Sequence, residues 1–186
     1  MNIDSIKKRI PDYARDLRIN IGNMLDPERA PGGMSAEQVF GTALATAIAS
    51  RNQALLGAIQ EAVTPKLSEE WLNAGKAAAA IMAMNNVYYR FVHLASNDDY
   101  GNMPAGMRMS VIGRPGIDKA DFELMSLAVS AVNGCGLCID SHEKVLKSAG
   151  VGNDVIQHAV RIASVMHAVA TVFDAEGLNG DVKAAA

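Results

Sequence analysis

The 186-residue chain is short of large rings, with Phe, Trp and Tyr together making up 5% of it. A core must therefore be filled by aliphatic side chains, and 49% hydrophobic against 20% charged residues supplies enough of them for a globular fold. That balance excludes a disordered or collagen-like chain. Charge of one sign is also lacking: the formal net charge is -3 and the basic residues are scattered, so there is no electrostatic footprint for nucleic acid. The opening MNIDSIKKRIPDY has neither the apolar segment nor the cleavage site of a secretory signal. No apolar run approaches the ~18 residues of a membrane span. These absences predict a cytoplasmic protein without a membrane or nucleic-acid partner. A chain of this length buries about 70% of its unfolded surface in one compact domain, so a single domain over residues 1–186 is expected, with a frayed tail from about 175.

Cysteine is nearly absent. The two present, Cys135 and Cys138, cannot form a disulfide scaffold. Chance gives their spacing in about 1 chain in 100, and in a reducing cytosol a lone C-x-x-C is redox-active or metal-binding more often than a structural staple. Glycine patterns for phosphate are missing too: GRPG at Gly113 to Gly116 reads as a turn.

What is abundant is helix signal. Ala and Met are plentiful, strand-like alternation is nearly absent, and Gly, Pro and Asn punctuate at helix-length intervals, which predicts an all-α fold. A short helix from Ile3 gives way to one from about Pro11 to Leu25, followed by a loop from Asp26 to Gly33. Ser35 and Gln38 form a capping box, a further helix begins near Arg51, and Thr64-Pro65 breaks the chain. Ser68 opens a helix that ends at Asn85-Asn86, and a shorter helix, VYYRFVHLA, follows. Ser96 to Gly116 holds one short helix; Asp118 caps the next, which stops at Asn133-Gly134. Another opens at Cys135 and ends at Gly150, and the last runs from Asn153 to about Asp174. Ala83 to His93 and Ala131 to Ser141 read as copies of a helix–break–helix repeat, with cysteines in the second only.

Cys135 opens a helix, where unpaired N–H groups and the dipole favour the attacking thiolate. Cys138 and His142, four residues apart, share a helical face, and a water can link imidazole to sulfur. If the flanking helices form a hairpin, Glu123 lies ~15 Å and His142 ~12 Å from the turn, nearly level. Glu123, His142, water and Cys138 then make a plausible proton relay. Met82, Met84, Met107, Met109, Met125 and Met166 read as core filler, and Tyr88, Tyr89 and Phe91 as ordinary packing. His158 and His167 read as exposed helix-face residues.

Glu123, followed by NGCGLCIDSHEKVLKSAGV with Cys135, Cys138 and His142, resembles the signature of the AhpD-type alkylhydroperoxidases. IDSIKKRIPDYARDLRINIGNML and WLNAGKAAAAIMAMNNVYYRFVHL extend the resemblance over nearly the whole chain. It implies the helical fold of the carboxymuconolactone decarboxylase-like superfamily, assembled as a homotrimer with no bound metal or flavin. It further implies Cys138 as peroxidatic thiol towards organic hydroperoxides and Cys135 as resolving partner and proton donor, the two closing a disulfide. Glu123 and His142 would serve the relay. Reducing equivalents would come from dihydrolipoyl groups on an acyltransferase, and electrons would also pass to an AhpC-type peroxiredoxin. One departure stands out: relatives often carry a histidine between the cysteines, where this chain has Gly136-Leu137. Leu137 transfers no proton, which throws more weight on His142.

Three other readings compete. One is an electron-relay adaptor without peroxidase activity, since both chemistries use a low-pKa thiol and a resolving thiol. Another is a zinc-stabilised interaction module, with a fourth ligand from His93, His158, His167 or a carboxylate. The last is a non-redox enzyme resembling the lactone decarboxylases, which leaves the cysteines idle.

Overall fold

The computed structural model describes residues 3–179, and among them the chain is helical throughout, with no strand. Pro11 divides α1 (Ile3–Arg9) from α2 (Arg15–Met24), and the loop after α2 includes a single turn capped by Asp26. At the start of α3 (Ala36–Ala49) the capping box forms: Gln38 N donates to Ser35 Oγ (3.2 Å) and Ser35 N to Gln38 Oε1 (2.8 Å). Asn52 caps α4 (Gln53–Val63), and Ser68 caps α5 (Glu69–Leu94).

The expected break at Asn85-Asn86 is not there. α5 continues through it for 26 residues, so VYYRFVHLA is its C-terminal part and not a separate helix. Asparagine weakens helices by offering its side chain to nearby backbone, but here Asn86 is engaged elsewhere. Its Nδ2 donates to Ser130 Oγ and its Oδ1 accepts from Asn133 Nδ2, each at 2.9 Å. The repeat therefore fails at the backbone level, since its first copy has no break. Between Ser96 and Gly116 the chain makes two short helical turns where one was expected, α6 (Asp99–Asn102) and α7 (Ser110–Gly113).

Asp118 caps α8 (Lys119–Asn133), which ends in a Schellman turn: Gly134 takes φ +68°, and Cys135 N donates to Ser130 O (3.1 Å). α9 (Gly136–Ser148) follows at once, then α10 (Asn153–Ala175). Past α10, Leu178 N donates to Phe173 O (2.7 Å) and Asn52 Nδ2 to Leu178 O (3.0 Å). These bonds tie residues up to 179, and the rest of the tail expected to fray, 180–186, lies outside the described residues.

α3 and α8 lie between two apolar clusters, one built mainly with α10 and the other with α5. At the α3 crossing a Cβ on Gly41 would stand 3.0 Å from both Met125 Sδ and the Trp71 ring, so a larger residue there would require those side chains to shift. α10 is long and apolar enough to cross a membrane by length and mean composition, although His158, Arg161, Ser164 and His167 interrupt its apolar run. Its apolar face is used inside the fold instead: Ile162, Met166, Val169 and Phe173 are fully buried. His158, expected on an exposed face, is buried on α10, and burial pushes its imidazole below the ordinary histidine range against the opposing pull of the Met24 backbone. Met125 is core as expected.

Candidate active site

Cys135 belongs to two helices at once. As the residue after Gly134 it completes the turn that ends α8, and as the N-cap of α9 its Sγ accepts from Cys138 N at 3.3 Å. The two cysteines are joined in a disulfide, with Cα atoms 5.3 Å apart. They differ in access. Cys135 is fully enclosed, whereas Cys138 lies on the first turn of α9 and lines a cleft. Both sulfurs thus sit at the first turn of α9, the positive end of its dipole, which favours negative charge.

The hairpin brings Glu123 and His142 level, as the helical rise predicts, and closer than the estimate alone requires. His142 Nδ1 lies 2.5 Å from Glu123 Oε2, and both side chains are buried. With Glu123 as carboxylate, which only accepts, Nδ1 is the donor of that bond and Nε2 is left for exchange. Nε2 stands 3.2 Å from Met82 Sδ, a thioether that has no proton to exchange with it. Cys138 is one helical turn before His142 on the same face, and Glu123, Cys138 and His142 all line one cleft of about 350 Å³.

α5 forms the facing wall, with Met82, Asn85 and Tyr89 turned into the cleft, and Met109 and Ile112 close one side. Leu137 lies at the rim, 38% exposed. Met82 and Met109, expected as core filler, and Tyr89, expected as ordinary packing, thus belong to the site. Phe91 is 49% exposed, resting on the Tyr100 ring at 4.9 Å between centroids. Asn85 was missed altogether. A signal existed, since Met82, Asn85 and Tyr89 recur at i, i+3 and i+7 with a polar residue inside an apolar stripe.

His93 and His167 are exposed, and His158 is buried on α10; none of the three lines this cleft. Among the described residues, no group of three or more His, Cys, Asp or Glu side chains is placed to hold a metal ion. The closed ligand set of a structural zinc site is therefore not gathered at the cysteines.

Fold and site define a class, the all-helical oxidoreductases with a C-x-x-C pair beside a buried carboxylate–imidazole pair. The family model "Carboxymuconolactone decarboxylase family" matches residues 98–178, which take in α8, α9 and α10. "Alkyl hydroperoxide reductase AhpD" of Rhodopseudomonas palustris (strain BisA53) is 57% identical over 175 residues, 94% of each chain. The AhpD of Streptomyces coelicolor is 52% identical over 178 residues, 96% of this chain and 98% of its own. That of Gluconacetobacter diazotrophicus is 50% identical over 185 residues, covering 100% of this chain and 99% of its own. The chain belongs to the alkyl hydroperoxide reductase AhpD family.

Proposed function

We propose that the chain is a dithiol alkylhydroperoxidase re-reduced by lipoyl groups. The observation that carries this reading is the buried Glu123–His142 pair at 2.5 Å, lying in the same apolar-walled cleft as Cys138, with Cys135 enclosed behind it. The Cys138 thiolate attacks the terminal oxygen of the hydroperoxide. An S–O bond forms, the O–O bond breaks, and the alkoxide takes a proton delivered through His142, which Glu123 orients and charge-stabilises. The Cys135 thiol then displaces water from the Cys138 sulfenic acid and closes the disulfide before over-oxidation. A dihydrolipoyl group returns two electrons and two protons, so hydroperoxide and dithiol become alcohol, water and lipoyl disulfide. No bound cofactor takes part in these steps.

The same reading places the reaction in the cytoplasm, with a lipoyl-bearing acyltransferase as reductant and an AhpC-type peroxiredoxin as a further electron acceptor. It includes a homotrimer. In its support, Val87, Phe91 and Leu94 make an exposed apolar stripe on α5, continued by Tyr100 and Met103.

The test is consumption of a small alkyl hydroperoxide by wild type, Cys138→Ser and Cys135→Ser, with reduced lipoamide as electron source and glutathione as control. Lipoamide-dependent turnover lost in both variants supports the cycle. No turnover in wild type, with lipoamide still reducing the disulfide, makes the chain an adaptor.

A further inference from the structure

Asn85 is 4% exposed, lines the redox cleft, and its Oδ1 finds no hydrogen-bond partner among the described residues. Buried side-chain acceptors are seldom left so. The neighbouring Asn86 shows that the fold satisfies a carboxamide on this helix where its role is structural, for it is tied to both Ser130 and Asn133. Asn85 points the other way, into the space shared by Cys138, Glu123 and His142. A small turn of the side chain brings this enclosed oxygen to a molecule that enters the cleft.

The chemistry of that partner is constrained. A carboxamide offers an acceptor and a donor side by side, and a hydroperoxide offers the reverse on adjacent oxygens. Apart from Glu123 and His142, the lining carries no charge, and Met82, Met109, Ile112, Leu137 and Val145 suit an alkyl group. We propose that Asn85 is a substrate-contacting residue that holds an uncharged alkyl hydroperoxide, accepting from its O–H through Oδ1 and donating through Nδ2 to the oxygen that leaves as alkoxide. The electron pair of the Cys138 thiolate forms the S–O bond, the O–O pair departs on the alkyl-bearing oxygen, and Nδ2–H steadies that charge until the proton arrives from His142. This rests on the peroxidase reading above.

The experiment compares Asn85→Leu and Asn85→Ser with wild type in the reduced state. For each, the rate constant for reducing a small alkyl hydroperoxide is divided by that for alkylation of Cys138 with iodoacetamide, and Tm is recorded. The expected result is a ratio lower by roughly 10- to 100-fold in Asn85→Leu and by less in Asn85→Ser, with Tm not lowered. Wild-type ratios in both variants, beside an active wild type, overturn this inference alone, as does a loss that follows a fall in Tm. If Asn85→Leu does not fold, the Asn85→Ser ratio decides between the same outcomes. A wild type inert to alkyl hydroperoxides overturns the peroxidase reading, and this inference with it.

Discussion

Two stretches that the sequence pattern aligns, Ala83 to His93 and Ala131 to Ser141, take opposite courses. The first stays in α5 across Asn85-Asn86, while the second turns at Asn133-Gly134 and starts α9. The difference comes down to one residue and its surroundings. Gly134 enters the left-handed region at φ +68° without steric cost, whereas Asn86 is held helical by partners on the other stretch. Arg90 of the first copy also donates to the Asn133 carbonyl at 2.6 Å, at the C-terminal end of α8 where a cation is favoured. One copy provides the helix start that holds the cysteines. The unbroken copy provides the wall opposite them.

The largest expected effect breaks the carboxylate–imidazole pair that flanks the turned stretch. Glu123→Gln keeps a hydrogen-bonding group but removes the charge beside His142, and peroxide reduction should fall about 100-fold or more in a stopped-flow assay. Next, Asn86→Ala strips the partners from Ser130 and Asn133. It should lower unfolding free energy by about 2 kcal/mol in urea titration, whereas removing the Asn85 carboxamide should not destabilise. That contrast on adjacent residues sharpens the comparison most. Gly134→Ala forces a Cβ into the left-handed turn and should cost about 1 kcal/mol in the same titration, with a slower Cys138 alkylation if the α9 start shifts.

The smallest effect is a control outside both stretches. His158 is held neutral by burial, so the unfolded chain binds the extra proton first. Stability from this group is full above the ordinary value of about 6.5 and declines as pH falls from there towards the lowered folded value. His158→Gln should flatten that decline in unfolding curves between neutral and mildly acidic pH, leaving the two stretches alike.

Much of this was legible beforehand because it depends on local physics. Ser35, Ser68 and Asp118 announced helix starts through their capping groups, and Gly134 a helix stop. Glu123 and His142 were placed level because helical rise is fixed once a hairpin is assumed. The missed features depend on distant partners. Whether Asn86 breaks a helix is decided by Ser130 and Asn133, far away in sequence. Met82, Asn85 and Tyr89 join the site only because α5 remains whole and packs on α9. The burial of α10 likewise reflects the helices around it, since length and composition alone also suit a membrane span.

The central claim is that Cys138, not Cys135, meets the peroxide. Reduced Cys135→Ser protein should be mixed with one equivalent of a small alkyl hydroperoxide in the presence of dimedone, and the labelled peptide identified by mass spectrometry. The expected result is a stoichiometric sulfenic adduct on Cys138. Unlabelled Cys138 with the peroxide unconsumed, or equally fast labelling of Cys135 in Cys138→Ser, would contradict it.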